Sequence, residues 1–508
     1  MDARINRVVL FGGVSILVLA VFYPVIDSFF VTDDMRLIYI SSPISSQGLP
    51  DFFSSSGGWF AGFYRPLIRT AFFIDYSLYG LDPAGYHVTN LLFHIASAVM
   101  VFYFTRILTG SEKTGAFASF IFAVQPLHTE AVSWISGRGD VMFTFFYVAA
   151  LLGYLKFISG EDGKKSYLVL SVVCFILSLL SKESAVTLPA MLILTEWLYN
   201  RREPDNTPRG IKFAHHAPFV LALVLYALFK YFFIGGGLYD HDIGTITFLR
   251  TVYHFFQLFA PVNVDVFKFS DVPGVILNSI IVLNLAVLLI AYQYLCRNKS
   301  RALPLVTYCA LWILITSFPL YFVPGARFLY ISSVASSILM GFVLTRISDA
   351  VRERGLKAPA VLVPMLALSI ILTSSVRTFQ RNGIYDYAGG IAERALAQLK
   401  DRHPEFPAGS VLYFINFPQD WVRDTEAWVK PIPVMSMAVK VKYADDSLIV
   451  HSQPRKVSTF EERLKFLEKN SLRKHAEEGR GIYVFEYDNG KVVETTELFD
   501  NQKTGSGK

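Results

Sequence analysis

The chain has 508 residues, of which 53% are hydrophobic and 17% are charged, and its formal net charge is +6. Soluble domains carry about 25% charged residues, so this composition excludes an ordinary soluble protein. The basic excess is explained by membrane topology rather than by nucleic-acid binding. Cys174, Cys296 and Cys309 lie in or beside apolar stretches and show neither metal-ligand spacing nor a disulfide framework.

Eleven apolar stretches approach the length that a helix needs to cross a bilayer. They cover roughly residues 8–26, 86–108, 114–134, 140–158, 166–181, 184–200, 217–234, 275–295, 303–322, 328–346 and 359–377. The first stretch is long for a cleavable signal and lacks a small-x-small cleavage site, so we expect it to remain as a span. The segment 248–274 is interrupted at Pro261, which favours an interfacial or re-entrant helix over a further span.

Basic residues indicate the orientation. Arg4 and Arg7 precede the first span, and Lys and Arg recur in the loops at 201–216, 296–302 and 346–358. Eleven spans place all of these on one side, which the positive-inside rule identifies as cytoplasmic. The N-terminus is therefore predicted inside, and the loop after the first span and the C-terminus are predicted outside.

The regions between and after the spans have distinct patterns. Residues 27–85 predict one or two amphipathic helices on the outer surface, and the Gly-rich segment 235–247 predicts a mobile lid. Beyond about residue 380, "VLYFI" (411–415), "AVKVKY" (438–443) and "IYVFEY" (482–487) predict strands, "TFEERLKFLEKN" (459–470) predicts a helix capped near Thr459, and "DNGK" (488–491) predicts a hairpin turn. We therefore expect a transmembrane domain over 1–378, a soluble α/β domain over 379–500 and a disordered tail over 501–508. No internal repeat is visible, and in particular no 34-residue helical period.

Polar groups concentrate at the predicted outer face. They are Asp33, Asp34 and Arg36, then Arg65, then His128, Glu130, Arg138 and Asp140, then Lys182 and Glu183, and finally Arg327. Ionisable side chains near the bilayer centre cost at least about 2.5 kcal/mol. The spans beside Lys182 are short, so this residue and Glu183 are predicted to lie below the outer surface. His87, Asn90 and His94 share one helical face, which should point inward. Together these residues predict a cavity open to the outer leaflet, with carboxylates for proton abstraction and cations for an anionic headgroup.

Each polar group also has an ordinary explanation. A solvated loop, an arginine at headgroup level, a structural ion pair or a hydrogen-bonded histidine are all common in membrane proteins. The "RGD" at 138–140 is too short to indicate adhesion. His128 with Glu130 leaves a divalent metal open, although we expect no essential metal or other cofactor.

Six motifs carry a resemblance over roughly residues 30–335. They are "DDMR", "YRPL", "HVTNLLFH", "FAVQPLHTEAVSWISGRGD", "SKESAVTLPAMLILTEW" and "ARFLYISS", in this order. The set resembles the membrane half of the GT-C glycosyltransferases, in particular the transmembrane O-mannosyltransferases that carry tetratricopeptide repeats and, more distantly, protein O-mannosyltransferases. "DDMR" also resembles the Asp-acidic-x-Arg pattern of lipid A aminoarabinose transferases. The chain departs from the repeat-bearing proteins after the membrane half, so the resemblance does not identify the acceptor.

The resemblance implies a GT-C fold of about eleven transmembrane helices and a donor sugar carried on polyprenyl or dolichyl phosphate. It implies that Asp33 is the general base and that Asp34 orients the acceptor or shares the proton. Arg36 and Arg65 would bind the donor phosphate, and Arg138, Lys182 and Arg327 would make further phosphate or sugar contacts. The candidate cavity-lining residues are His87, Asn90, His94, His128, Glu130, Asp140 and Glu183.

The predicted reaction is an inverting transfer of a sugar to a protein, lipid or glycan hydroxyl on the extracytoplasmic side. The phosphosugar bond supplies the energy, and the sequence has no GxxxxGK[ST] nucleotide motif. A transporter or flippase for lipid-linked sugars, which would use the same charges without chemistry, is the alternative. A third reading is an assembly partner whose C-terminal domain binds another envelope protein. Given its compact length and missing disulfides, we expect the chain in the inner membrane of a prokaryote.

Overall fold

The computed structural model describes most of the chain. The described residues are 6–45, 48–54, 63–159, 164–201, 211–234, 253–260, 272–297, 302–317, 325–353, 357–417, 422–423, 428–429, 431, 435–453, 457 and 459–499. The predicted lid at 235–247, most of the segment 248–274 and the predicted tail at 501–508 lie outside them.

Helices dominate the described residues. In chain order they are α1 (Arg7–Phe22), α2 (Asp34–Ser41), α3 (Leu49–Ser54), α4 (Pro66–Tyr79), α5 (Pro83–Thr109), α6 (Glu112–Ala123), α7 (Thr129–Val132), α8 (Arg138–Ser159), α9 (Lys165–Ser181), α10 (Leu188–Asn200), α11 (Phe213–Phe229), α12 (Val272–Arg297), α13 (Leu303–Thr316), α14 (Ser332–Glu353), α15 (Lys357–Arg402), α16 (Met435–Tyr443), α17 (Phe460–Lys469) and α18 (Leu472–Glu477). The strands are β1 (Val411–Ile415), β2 (Val422–Arg423), β3 (Trp428–Val429), β4 (Ile449–Ser452), β5 (Ile482–Asp488) and β6 (Lys491–Glu494).

The prediction of a polytopic helical membrane protein is confirmed. Each of the eleven predicted stretches contains one of the helices α1, α5, α6 and α8–α15. Within the described residues, seven helical stretches are long and apolar enough to cross a membrane alone, and α9 and α13 are shorter apolar helices. Some helices cross in backbone contact, since a Cβ at Gly341 of α14 would lie 2.9 Å from the Thr114 carbonyl oxygen of α6.

The predicted span at 114–134 is wrong in its second half. Helix α6 ends at Ala123, and residues 124–137 form 3₁₀ turns and the single turn α7. Pro126 disfavours a helical conformation at Gln125, which ends the helix here. The freed carbonyls are bonded by α15: Thr378 donates to the Val124 carbonyl at 2.8 Å, and Arg381 donates to the Pro126 carbonyl at 2.9 Å. Protein thus supplies the hydrogen bonds that a lipid environment would not.

Helix α15 crosses the predicted boundary at 378/379. It has 46 residues, so at 1.5 Å per residue it is roughly 69 Å long. Beyond residue 378 its apolar positions no longer surround the helix but recur on one face. Ala388, Ala392, Ala395 and Leu399 are buried at spacings of three and four residues. The sequence change therefore marks a switch from an apolar to an amphipathic helix, within one continuous element.

The C-terminal residues build a sheet of order β4-β1-β5-β6, in which β6 alone runs antiparallel to its neighbour. Strands β1 and β5 and helix α17 with its Thr459 capping box lie where the sequence predicts them. The predicted hairpin turn is present, with positive φ at Asn489 (45°) and Gly490 (85°). The predicted strand at 438–443 is wrong, because these residues belong to α16. Met435, Ala438 and Val439 are buried at helical spacing and outweigh the short alternation of "VKVKY".

Helix α2 is not a surface helix, contrary to the prediction for residues 27–85. Its apolar residues pack between α4 and α16, and Ile38 is fully buried in the same cluster as Ile68 and Val439. The outer face of α4 is apolar and exposed, at Ile74 and Leu78 for example. Helix α4 thus has a face suited to the membrane surface, whereas α2 does not. The C-terminal domain thus packs, through α16, against α2, the helix that begins at Asp34.

Candidate functional site

Two loops bring the predicted site together. We call residues 26–34 the Asp loop and residues 124–137 the Glu130 loop. They meet at Asp34, which is 1% exposed. Its Oδ1 accepts hydrogen bonds from the Ser136 amide at 2.8 Å and the Ser136 hydroxyl at 2.5 Å, and its Oδ2 accepts from the Val31 amide at 2.9 Å. The carboxylate therefore has a fixed position.

The environment of Asp34 favours proton uptake. Burial raises the pKa of this carboxyl to about 7; the Ser136 and Val31 hydrogen bonds oppose the shift, and the Asp33 charge adds to it. Asp33 is half-buried at the N-cap of α2. Thr32 beside it has a φ of 52°, a region that β-branched residues rarely adopt. Such backbone strain clusters at functional sites. The carboxyl pair thus combines one buried, fixed member with one more accessible member.

Basic residues from three other segments form the second part of the site. Arg65 donates from Nε at 2.9 Å and from Nη2 at 2.8 Å to Oε2 of Glu183. Lys182 forms an ion pair with Asp140. Arg327 pairs with Glu130, with 2.6 Å between Nη1 and Oε1, and its amide donates to the same carboxylate at 3.1 Å.

These ion pairs belong to one cluster. Nε of Arg327 lies 3.9 Å from Oδ2 of Asp140, the partner of Lys182. Burial lowers the pKa of the Lys182 ammonium to about 8; Asp140 opposes this shift, and the positive charges of Arg65 and Arg327 add to it. The side chains of Arg65 and Arg327 are 17% and 26% exposed, whereas that of Lys182 is 5% exposed. Two arginines therefore form the accessible rim of the cluster, and a lysine lies beneath them.

Aromatic rings shape this cluster. The Lys182 ammonium lies 4.4 Å from the centre of the Phe328 ring. The Arg327 guanidinium lies 4.8 Å from the same ring and 4.9 Å from the Trp134 ring. Cations over aromatic faces are attracted to the ring quadrupole, which helps to hold them when they are desolvated. Gly137 permits the tight Glu130 loop, since a Cβ there would lie 2.6 Å from the Ala131 carbonyl oxygen.

Arg138 lies apart from the other predicted phosphate ligands. It is fully buried, and its Nη2 is 2.6 Å from Oδ2 of Asp75. It also donates to the Asn90 side-chain oxygen at 2.8 Å and to the Tyr86 carbonyl at 3.0 Å. Because no part of its side chain is exposed, unlike those of Arg65 and Arg327, this geometry argues against a direct phosphate contact. Charge alone could not reveal this, because Asp75 lies outside the six motifs.

The predicted cavity-lining histidines and asparagine are also buried. His87 bonds the Ser28 carbonyl at 3.0 Å, and the Asn90 amide donates to the Val132 carbonyl at 3.2 Å. Nε2 of His94 donates to the Ala123 carbonyl at 3.0 Å, while His128 contacts the Ser333 hydroxyl at 2.7 Å. His87 and Asn90 thus hydrogen-bond the backbone of the two loops, and all four side chains are too buried to line an open cavity. Among the residues that the structure describes, no group of three or more His, Cys, Asp or Glu side chains could hold a metal ion.

Arg36 lies on the first turn of α2 and is half-buried. Ser136 was not predicted as a site residue, although it lies inside a quoted motif, because a serine there carries no distinctive signal. Tyr385 of α15 was not predicted either; it is 4% exposed and interacts electrostatically with Glu130, Arg327 and Asp34. Tyr385 is therefore near both Asp34 and the pair of Glu130 and Arg327, and it lies beyond the predicted end of the membrane domain.

Known proteins resemble this chain in part of its sequence and in its fold. No protein-family model matches the sequence. The chain is 31% identical over 202 residues to the Drosophila melanogaster protein O-mannosyl-transferase Tmtc1, a match that covers 37% of the chain and 23% of the relative. It is 37% identical over 131 residues to the human protein O-mannosyl-transferase TMTC2, covering 25% of the chain and 16% of the relative. The chain thus spans less than a quarter of the length of either relative.

Solved structures match nearly the whole chain. ArnT from Cupriavidus metallidurans in the apo state has a TM-score of 0.52 at 13% identity, covering 95% of this chain and 93% of that one. The Archaeoglobus fulgidus oligosaccharyltransferase has a TM-score of 0.53 at 10% identity, covering 94% of this chain and 69% of that one. The chain has the GT-C fold. The resemblance indicated by the six motifs is confirmed, and at these identities the solved structures establish the fold alone.

Proposed function

We propose that this GT-C protein is a glycosyltransferase that moves a sugar from a polyprenyl-phosphate donor to an acceptor hydroxyl on the outer side of the membrane. The observation that carries the proposal is that the Glu130 loop holds both parts of the site. Its Ser136 bonds Asp34 of the carboxyl pair, Asp33 and Asp34, and its Glu130 pairs with Arg327 of the basic cluster, which also contains Arg65 and Lys182. The O-mannosyl-transferase relatives support sugar transfer, and ArnT of the same fold has been solved with undecaprenyl phosphate.

The carboxyl pair supplies the base. Asp33 is the more accessible member, so it takes the proton from the acceptor hydroxyl as the oxygen attacks the anomeric carbon. Asp34, fixed by Ser136 and Val31, holds the loop and keeps a negative charge beside Asp33 once it is ionised. That charge makes Asp33 more basic, because two adjacent carboxylates repel each other.

The basic cluster stabilises the leaving group. As the bond between the anomeric carbon and the phosphate oxygen breaks, the electron pair stays on the phosphate, whose charge rises. Arg65 and Arg327 at the accessible rim bind this charge, and Lys182 approaches from below. Attack opposite to the leaving phosphate inverts the anomeric centre. Glu183, Glu130 and Asp140 hold the cations in place before the donor binds.

The proposal includes an orientation in which both parts of the site face the outside. The positive-inside pattern and the location of the six motifs support it. The inner membrane of a prokaryote stays a prediction, since the relatives described above are animal proteins.

Purified protein with a panel of polyprenyl-phosphate sugars and an envelope extract tests the proposal through the release of polyprenyl phosphate. Wild type should release it, and Asp33→Asn should lose the activity. Asp82→Asn is the matched control: Asp82 is an exposed N-cap of α5, and asparagine caps a helix equally well. Binding of the lipid without release, in the presence of acceptor, would contradict the proposal and favour the transporter. Equal release by wild type and Asp33→Asn would refute the assignment of the base.

A further inference from the structure

Three turns of helix α15 contact both loops of the candidate site. Besides the bonds of Thr378 and Arg381 to the Glu130 loop, the Ser28 hydroxyl of the Asp loop bonds Asp386 at 3.3 Å. One turn further, a Cβ at Gly389 would lie 2.8 Å from the Phe29 carbonyl oxygen, so helix and loop are in backbone contact there. The stretch 378–389 thus lies against the two loops that carry the candidate carboxylates.

Asn382 joins the two sides within this stretch. Its Nδ2 donates to the Val21 carbonyl at 2.9 Å, and its Oδ1 accepts from the Ser133 hydroxyl at 2.7 Å. The side chain is fully buried. Val21 lies near the end of α1, from which the Asp loop departs. Ser133 lies three residues before Ser136, which holds Asp34. The side-chain amide of Asn382 therefore bonds both the end of α1, from which the Asp loop departs, and Ser133 in the Glu130 loop.

We propose that Asn382 is a positioning residue of the transfer reaction, which sets the separation between the Asp loop and the Glu130 loop. The inference rests on the proposed function. Asn382 contacts no part of the carboxyl pair or the basic cluster directly, and it acts through Val21 and Ser133. A buried amide that loses one partner leaves an unsatisfied polar group, so the loops shift to restore the bond or admit water. A displacement of about 1 Å at a reacting group can lower a rate by about 100-fold.

The variant Asn382→Asp distinguishes a positioning role of this residue from a role in packing alone. A protonated aspartic acid has the shape of asparagine, donates to the Val21 carbonyl and accepts from Ser133. Its ionised form cannot donate and faces the Val21 carbonyl with a negative charge. Burial raises the pKa of a carboxyl, so the change between the two forms falls inside the working pH range. The kcat of Asn382→Asp relative to wild type should be near one at low pH and fall by up to about 100-fold as pH rises.

Asn382→Leu removes both bonds and should lower kcat at every pH. The KM for the donor should change less than kcat, because Arg65 and Lys182 come from other segments and only Arg327 is held by the Glu130 loop. Ser375→Ala is the matched control on the same helix, since the Ser375 hydroxyl bonds the Ile371 carbonyl of α15 itself. A merely structural role would instead lower the amount of folded protein without this split between kcat and KM.

Hydrogen exchange gives a readout that needs no activity. Asn382→Leu should increase amide exchange in peptides covering 26–34 and 129–137, while Ser375→Ala should leave both unchanged. If Asn382→Leu keeps wild-type kcat and wild-type exchange, the positioning role is refuted. If wild type transfers no sugar at all, the proposed function fails, and the exchange data alone then decide whether Asn382 holds the loops.

Discussion

Replacing Asp34 by asparagine should remove the loss of stability that the wild-type protein shows as pH rises. Burial raises the pKa of this carboxyl to about 7, above its ordinary value of 3.8. The folded state therefore holds a proton that the unfolded state has released, and wild-type stability falls as pH rises from about 4 towards 7. Asparagine has no proton to lose, so this fall is absent in Asp34→Asn.

The magnitude follows from the two pKa values. A folded pKa of about 7 and an unfolded pKa near 4 give a loss of about 2.5 kcal/mol between pH 5 and pH 8. In Asp34→Asn the side-chain NH2 group faces the Val31 N–H, and this pair of donors without an acceptor costs about 1–3 kcal/mol at either pH. Because this second cost does not depend on pH, the difference between the two pH values isolates the ionisation of Asp34.

Equilibrium unfolding in mixed detergent micelles at pH 5 and pH 8 measures this difference. The free energy of unfolding of Asp34→Asn, minus that of wild type, should rise by about 2.5 kcal/mol between the two pH values. Asp82→Asn at the exposed helix cap is the control and should show no such rise. An equal difference at both pH values for Asp34→Asn would refute the argument that this carboxyl is buried and protonated near neutrality.

Three further predictions concern the site. The rate of sugar transfer should rise with pH and level off above about 7, because Asp34 must be ionised to make its neighbour basic, and a profile flat from pH 5 to pH 9 would contradict this. Arg65→Gln should raise the KM for the donor by about 10- to 100-fold with kcat less affected, whereas unchanged donor kinetics would remove Arg65 from the phosphate site. Arg138→Met should lower the free energy of unfolding by about 3–5 kcal/mol because Asp75 is left buried and unpaired, and the double variant with Asp75→Asn should recover part of it. A change in donor KM at unchanged stability would return Arg138 to the donor site.

The order of the motifs and the periodicity of the chain predicted much of the fold. Runs of apolar residues located the membrane helices, and the "DNGK" turn between strand-like runs located the β5–β6 hairpin. These signals are local, because a span, a strand pair and a hairpin turn are each encoded by neighbouring residues. The continuation of α15 was missed because its second half is amphipathic. Hydropathy alone separates such a helix from the span that precedes it.

The candidate site was harder to predict because burial depends on distant partners. Arg65 and Arg138 are both arginines in quoted motifs, yet one is partly exposed and the other is fully buried against Asp75. Asn382 has no motif at all, and its importance follows only from the two loops that it bonds. The sequence identified which charged residues collect at the predicted outer face, while the pairing of these charges came from tertiary packing.

Stereochemistry tests the central claim most directly. Wild-type protein would be given a polyprenyl-phosphate sugar of defined anomeric configuration together with its acceptor, and the product linkage would be assigned by nuclear magnetic resonance. A single displacement by a hydroxyl that Asp33 deprotonates predicts transfer with inversion at the anomeric carbon. Transfer with retention would contradict the single displacement, and the absence of any transfer from donors that bind would contradict the glycosyltransferase itself.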